Sequence, residues 1–188
     1  ELKYIITNVT FIQENGSEFS IPEAESYFLV NEELSASRTL NLTNIPTGNY
    51  AAVRFGFGVD QSKYPLNGMM NFIPMAEEQG MLWSWSAGYK FLKFEGEYAL
   101  PGQTDINTFL IHVGSHGSTL DNYKEITVPL SNFRISGDET TTIDIRAEID
   151  KIFNGNTDYA FGDKDEIMVD PEFAPIISNN VTTIFAQQ

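Results

Sequence analysis

The sequence predicts an all-β protein, built as an antiparallel two-sheet β-sandwich of about nine strands. Apolar residues recur at every second position in many short segments, and Gly, Pro, Asn and Asp separate these segments from one another. The 188 residues are also enough to bury a hydrophobic core without disulfides. We therefore expect one β-sandwich domain over residues 1–188, with one or two short helices near the C-terminus and a long functional loop.

The individual strands are predicted from this alternation and from the turns between them. The clearest alternation lies at residues 51–59, and the Ile-Pro-Thr-Gly-Asn turn at residues 45–49 leads into it. Asn15-Gly16 between two apolar runs predicts a hairpin. The last strand is expected to turn Ile143, Ile145, Ala147 and Ile149 toward the core. The other predicted strands span residues 2–13, 27–31, 38–43, 88–98, 108–113, 125–130, 132–136 and 142–149.

Two segments depart from the strand pattern. Residues 61–80 form a long connection with Met and Pro and without periodicity, and such loops are commonly functional or mobile. Residues 163–180 predict one or two short helices, broken at Pro171 and Pro175.

The charge and the absence of cysteine exclude several classes of function. With 11 basic and 26 acidic residues, the formal net charge is −15, so a basic surface for nucleic acid or anionic lipid is not expected. The chain has no cysteine, which excludes thiolate catalysis, iron–sulfur clusters and Cys-ligated zinc. No apolar run is long enough for a transmembrane segment. Because the sequence begins at Glu1 without a leader, we expect a processed or trimmed N-terminus.

The methionines and tryptophans cluster in one part of the chain. Met69, Met70, Met75 and Met81 lie within 13 residues, directly before the segment that contains Trp83 and Trp85. Thioether sulfur suits Cu(I), and an indole face attracts cations. The structural alternative is that these methionines fill gaps beneath a long loop while the tryptophans close one end of the sandwich.

Both histidines lie in the segment Ile-His-Val-Gly-Ser-His-Gly at residues 111–117. His112 is predicted to face away from the core side of its strand, and His116 follows in a Gly/Ser turn. On an extended strand, residues four apart are separated by roughly 13 Å, so the two can share one ion only if the turn folds His116 back. The alternative for His112 is a surface or hydrogen-bonded residue.

Motifs for enzymatic chemistry are weak. Gly56-Phe57-Gly58 lacks the third glycine and the helix of a dinucleotide-binding loop, so a bulge or close packing explains it better. Residues 163–168 begin like a calcium loop but carry Met168 where the turn glycine belongs. Among the 26 acidic residues, a pair of catalytic carboxylates stays open as an alternative.

Several segments together resemble a known family. They are Leu-Lys-Tyr-Ile-Ile-Thr-Asn-Val at residues 2–9, Phe-Gly-Val-Asp at 57–60, Asn67-Gly68, the M-x-W-x-W-x-x-G-Y-K-F core within residues 80–96, and Phe-Leu-Ile-His-Val-Gly at 109–114. In this order they resemble the MbnP-like family of bacterial copper-binding proteins, which are secreted or associated with the outer membrane and related to proteins that accompany methanobactin.

The resemblance implies a β-sandwich-like, non-catalytic copper binder whose metal is Cu(I) or Cu(II). Family members coordinate copper with histidines and with a tryptophan oxidised to kynurenine. This implies His112 and either Trp83 or Trp85 as site residues, and a partner oxidase that modifies the tryptophan. The family's additional histidine is missing, since residues 64–68 read Tyr-Pro-Leu-Asn-Gly. Either the site is lost, or the compensating ligand is one of Met69, Met70, Met81 and His116.

Three hypotheses about function follow. The first is an extracytoplasmic copper-binding protein of a bacterium, either periplasmic or anchored at the outer membrane as a lipoprotein. The second is a surface module that binds glycan or protein through exposed aromatic residues and has lost the metal site. The third is a hydrolase that uses a pair of acids.

Overall fold

The computed structural model describes residues 1–66, 70–84, 86–117, 119–137 and 139–188. Within these residues the protein is mainly β, with three short α-helices, which confirms the β-rich class. The helices are α1 (Ile73–Glu78), α2 (Lys151–Asn154) and α3 (Phe173–Val181). The strands are β1 (Leu2–Gln13), β2 (Glu18–Ser20), β3 (Tyr27–Asn31), β4 (Gly48–Phe57), β5 (Leu82–Ser84), β6 (Gly88–Tyr89), β7 (Leu92–Tyr98), β8 (Asn107–Val113), β9 (Lys124–Ile135), β10 (Ile145–Ala147), β11 (Glu166–Ile167) and β12 (Phe185–Gln187).

Strand β1 is the centre of the main sheet, because both of its edges are paired and each edge has two partners. One edge pairs antiparallel with β3 and β2. The other edge pairs with β7 over Leu2–Tyr4 and with β4 from Ile6 onward. The resulting strand order is β11-β8-β7-β1-β4-β9, with β2 and β3 attached to β1. The strand β8, which carries His112, is thereby two strands away from β1.

The predicted arrangement of two separate antiparallel sheets is not confirmed. Eight strands form one continuous sheet, and the β8–β11 pair within it is parallel. The described residues add two small sheets, β5–β6 and β10–β12. The reason is that one edge of β1 pairs first with β7 and then with β4, so the strands beyond both partners join into one sheet.

Several predicted elements differ locally. Residues 38–43 form no strand, although Leu40 and Leu42 pack against the core. Alternation of apolar residues indicates which side chains are buried, but it does not show that a neighbouring strand is available for pairing. The predicted strands at 125–130 and 132–136 are one strand, β9, with an irregular register near Asn132, which has a φ of 53°. A bulge replaces the expected break there.

Two further predictions near the C-terminus are correct only in part, although Ile143 and Ile149 pack against the core as expected. Only Ile145–Ala147 of the segment 142–149 is a strand, and Ile145 is exposed rather than directed into the core, because β10 pairs with the C-terminal strand β12 outside the main sheet. Pro175 does not break a helix. It lies in the first turn of α3, where backbone N–H groups have no intrahelical acceptor, so the missing N–H of proline costs no hydrogen bond.

The long loop at residues 61–80 is partly ordered into helix. It begins with a 3-10 turn at Gln61–Lys63 and contains α1, whose Ile73 and Ala76 are fully buried. Residues 67–69 of this loop, including Met69, lie outside the described residues. Within the described part of the chain, no helix combines the length and the apolar character needed to cross a bilayer.

A buried asparagine connects α3 to the turn that follows β8. The Asn122 side chain donates from Nδ2 to the Gly114 carbonyl at 2.9 Å, and its Oδ1 accepts from the Ser178 hydroxyl of α3 at 3.3 Å. The Asn122 backbone N–H donates to the Ser115 hydroxyl at 3.0 Å. Asn122 is fully buried, so none of these groups has water as an alternative partner.

We expect Asn122→Ala to lower the free energy of unfolding by about 1–3 kcal/mol, because it leaves the Gly114 carbonyl without its donor. The measurement is urea unfolding followed by circular dichroism. The matched control is Asn41→Ala at an exposed position, which should change the unfolding free energy by less than about 0.5 kcal/mol. Equal stability of the two variants would contradict the structural role of Asn122.

Candidate metal centre

His112 lies next to the end of β8 and faces away from the hydrophobic side of that strand. The alternation of β8 buries Ile111 and Val113 in the core and turns His112 to the other face, where Lys93 of β7 is its cross-strand neighbour. Its side chain is only 7% exposed. The ring Nε2 lies 2.7 Å from Oε1 of Glu95, whereas Nδ1 is buried and has no hydrogen-bond partner.

The surroundings of His112 favour the neutral imidazole. Burial lowers its pKa below the ordinary value, the hydrogen bond with Glu95 opposes this change, and the nearby Lys90 and Lys93 ammonium groups lower the pKa further. The neutral ring is the form that offers a lone pair to a metal ion.

Trp83 is held against the backbone that follows β8. It lies in β5, which pairs with β6 through Leu82 and Tyr89. A Cβ atom added at Gly114 would lie 2.5 Å from Cζ3 of Trp83 and 2.3 Å from the Tyr89 carbonyl oxygen. Glycine is therefore required at position 114, because only the absence of a side chain lets the indole approach.

His116 is folded back toward Trp83 by the turn after β8. Its backbone N–H donates to the Leu120 carbonyl at 2.9 Å, and Asn122 fixes the start of the turn at Gly114. The imidazole and indole centroids are 4.4 Å apart, with an interplanar angle of 38°. Burial lowers the pKa of His116 as well, so this ring is also predominantly neutral at pH 7.

Three buried nitrogens without partners coincide with the sequence-predicted site. Among the described residues, the buried side-chain atoms that lack a hydrogen bond are Nδ1 of His112, Nε2 of His116, Nε1 of Trp83 and the hydroxyls of Tyr27 and Tyr89. Buried polar groups in folded proteins are nearly always paired, so each exception requires an explanation. Two of these exceptions are imidazole nitrogens, and imidazole is a common metal ligand.

The other predicted site residues have different environments. Met81 is fully buried in the hydrophobic core, while Met70 is 67% exposed. Trp85 lies outside the described residues. In the described ranges, no three His, Asp or Glu side chains lie close enough to hold a metal ion. The candidate centre therefore rests on two imidazole nitrogens and the position of Trp83, and the methionine ligands stay predictions.

Sequence reasoning missed two residues of this region, Glu95 and Gly114. Glu95 lies two residues beyond Lys93 on the same face of β7, which makes it the diagonal neighbour of His112 across the ladder. The register of β7 against β8 would have identified it. The glycine between two histidines, in His-x-Gly-x-His, is the sequence signal for the close approach of another side chain.

We expect Gly114→Ala to displace the Trp83 indole, because the added methyl group overlaps the ring and the Tyr89 carbonyl. The measurement is near-ultraviolet circular dichroism together with the tryptophan emission maximum, which should move to longer wavelength as the indole gains solvent. Gly162→Ala is the matched control, since no atom lies within 4 Å of its added Cβ. Identical spectra for the two variants would contradict the described packing.

Two of the three comparisons with known proteins give a match. The MbnP family model matches residues 1–169. The solved structure of MbnP from Methylosinus trichosporium superposes with a TM-score of 0.52 at 13% sequence identity, covering 94% of this chain and 74% of that chain. At this identity the superposition shows a shared fold alone. No curated protein matches the sequence. Because the family model spans most of the chain, this protein belongs to the MbnP family.

Proposed function

We propose that this protein binds copper without catalytic turnover, at a site formed by His112, His116 and Trp83. The observation that carries the proposal is the set of three buried ring nitrogens, one from each of these residues, that have no hydrogen-bond partner. Membership in a family of methanobactin-associated, copper-related proteins supports copper as the metal. With no cysteine in the chain, imidazole and thioether are the soft donors that remain for copper.

The residues present fit copper to different extents. A neutral imidazole offers one lone pair, which lies on Nδ1 of His112 when Nε2 donates to Glu95 and on Nε2 of His116 in its Nδ1-protonated tautomer, and imidazole is a suitable copper ligand. The intact indole of Trp83 is a donor only, so its Nε1–H has no lone pair for a metal. Oxidation to kynurenine would replace the indole by an aromatic amine and a ketone, both of which carry lone pairs. We therefore propose Trp83 as the position modified by a partner oxidase.

We extend the proposal to the remaining copper ligands, to the cellular location and to the two layers of the fold. Met81 and Met70 are proposed as additional thioether ligands that bias the site toward Cu(I). We propose an extracytoplasmic location in a bacterium, at the periplasm or anchored to the outer membrane. We also propose that the strands on the β7 side and on the β4 side of β1 form the two layers of a sandwich.

The alternative, an aromatic platform for glycan or protein, is less well supported by the site geometry. Such a platform needs exposed rings with free polar edges. In contrast, the Trp83 Nε1 is buried and its ring lies against His116. If the protein bound an oligosaccharide and took up no copper, that result would favour this alternative.

Reconstitution with copper tests the proposed function. We expect roughly one copper ion per chain, and we expect His112→Ala and His116→Ala each to weaken binding at least about tenfold. The measurement is competition with a chromophoric chelator, done separately for Cu(I) and Cu(II). Gln103→Ala at an exposed position is the control and should bind like the wild type. A folded wild-type protein that takes up neither oxidation state at micromolar concentration would exclude the proposal.

Intact mass tests the modification of tryptophan. Protein isolated from its native host should be about 4 Da heavier than the unmodified chain, since conversion of one tryptophan to kynurenine adds one oxygen atom and removes one carbon atom. Trp83→Phe should abolish this increment, and Trp85→Phe should retain it. An increment that survives Trp83→Phe and disappears in Trp85→Phe would assign the modification to the other tryptophan.

A further inference from the structure

We infer that Glu95 is a positioning residue of the candidate metal centre, holding His112 in the tautomer that binds copper through Nδ1. This inference rests on the proposed function and goes beyond it, because it names the donor atom and the side chain that selects it.

The two nitrogens of His112 have opposite environments. Nε2 lies 2.7 Å from Oε1 of Glu95, a short hydrogen bond of the kind that a charged partner makes. Nδ1 is buried and has no partner. A carboxylate only accepts hydrogen bonds, so Nε2 carries the proton and donates it. In a neutral ring this leaves the lone pair on Nδ1, the buried nitrogen that has no hydrogen-bond partner.

The carboxylate is itself held in place. Oε2 of Glu95 lies 3.5 Å from the Lys93 ammonium group, so its two oxygens are directed to different partners. Lys93 is the direct cross-strand neighbour of His112, and Glu95 follows it on the same face of β7. Lys93 also pairs with Glu1 at 2.6 Å. The β7–β8 ladder thus fixes the spacing between carboxylate and imidazole.

Burial increases the importance of this hydrogen bond. The His112 side chain is 7% exposed and the Glu95 side chain 31%, so water has little access to the ring and does not replace the carboxylate. Carboxylates that accept the second N–H of a metal-binding histidine orient the ring and increase its basicity. Their removal characteristically weakens metal binding by about 10–100-fold.

The tautomer can be read directly in the metal-free protein. In a two-bond 15N–1H correlation spectrum of the wild type, we expect His112 to show the pattern of a ring protonated at Nε2 and unprotonated at Nδ1. This spectrum needs neither copper nor a variant, so it shows which nitrogen of His112 carries the proton even if substitutions at position 95 prevent folding. A ring protonated at Nδ1 would overturn the inference.

The variants Glu95→Ala and Glu97→Ala test the link to copper. Both remove one acidic side chain from the same face of β7, but Glu97 is exposed and lies opposite Thr108 in the ladder, four residues from His112 along β8. We expect Glu95→Ala to weaken copper binding about 10–100-fold and to leave both His112 tautomers populated. The copper affinity of Glu97→Ala should stay within about twofold of that of the wild type. Urea unfolding of both variants separates this effect from a loss of folded protein.

The outcomes separate this inference from the proposed function. Wild-type protein that takes up no copper would exclude the proposed function and the role of Glu95 with it. Wild-type protein that binds copper, together with a folded Glu95→Ala variant of equal affinity, would overturn only the inference. A single Nε2-protonated tautomer in Glu95→Ala would overturn it as well, because Glu95 would then not select the tautomer.

Discussion

The structure depends on the exchange of partners along β1. The first residues of this strand pair with β7 and the later ones with β4, while β3 and β2 occupy the other edge. A strand paired on both edges satisfies its backbone groups inside the protein and leaves no free edge. Because β7 is fixed by β1 and β8 is fixed by β7, the positions of His112, Glu95 and Lys93 all follow from this one strand.

The candidate centre is formed where glycine lets another element approach the end of β8. The indole of Trp83 occupies the space that a side chain at position 114 would fill, and His116 returns to lie against the same indole. The result is a pair of packed rings in which Nε1 of Trp83 and Nε2 of His116 are buried. Leaving such atoms unpaired costs free energy, so a bound ligand that pairs them would stabilise the folded state.

The charge distribution shows that the net charge and the local charge at the site differ. The chain carries a formal −15, yet the groups nearest His112 are two lysines and one glutamate. In the part of the chain that the structure describes, no three acidic or imidazole side chains are arranged so that they could hold a metal ion. The candidate centre accordingly depends on nitrogen donors and not on the acidic residues that set the net charge.

The sequence by itself determined the β-rich class, the bounds of β1 and β3, the hairpin at Asn15-Gly16 and the residue types available to a metal, because these depend on local alternation and turn chemistry. Only the tertiary structure decided which strands β1 pairs with, that Leu40 and Leu42 pack half-buried against the core without forming a strand, and that Glu95 forms a hydrogen bond with His112. It also decided that His116 folds back onto Trp83. These are contacts between residues distant in the chain or across a turn of irregular geometry, and hydrophobic periodicity carries no information about either.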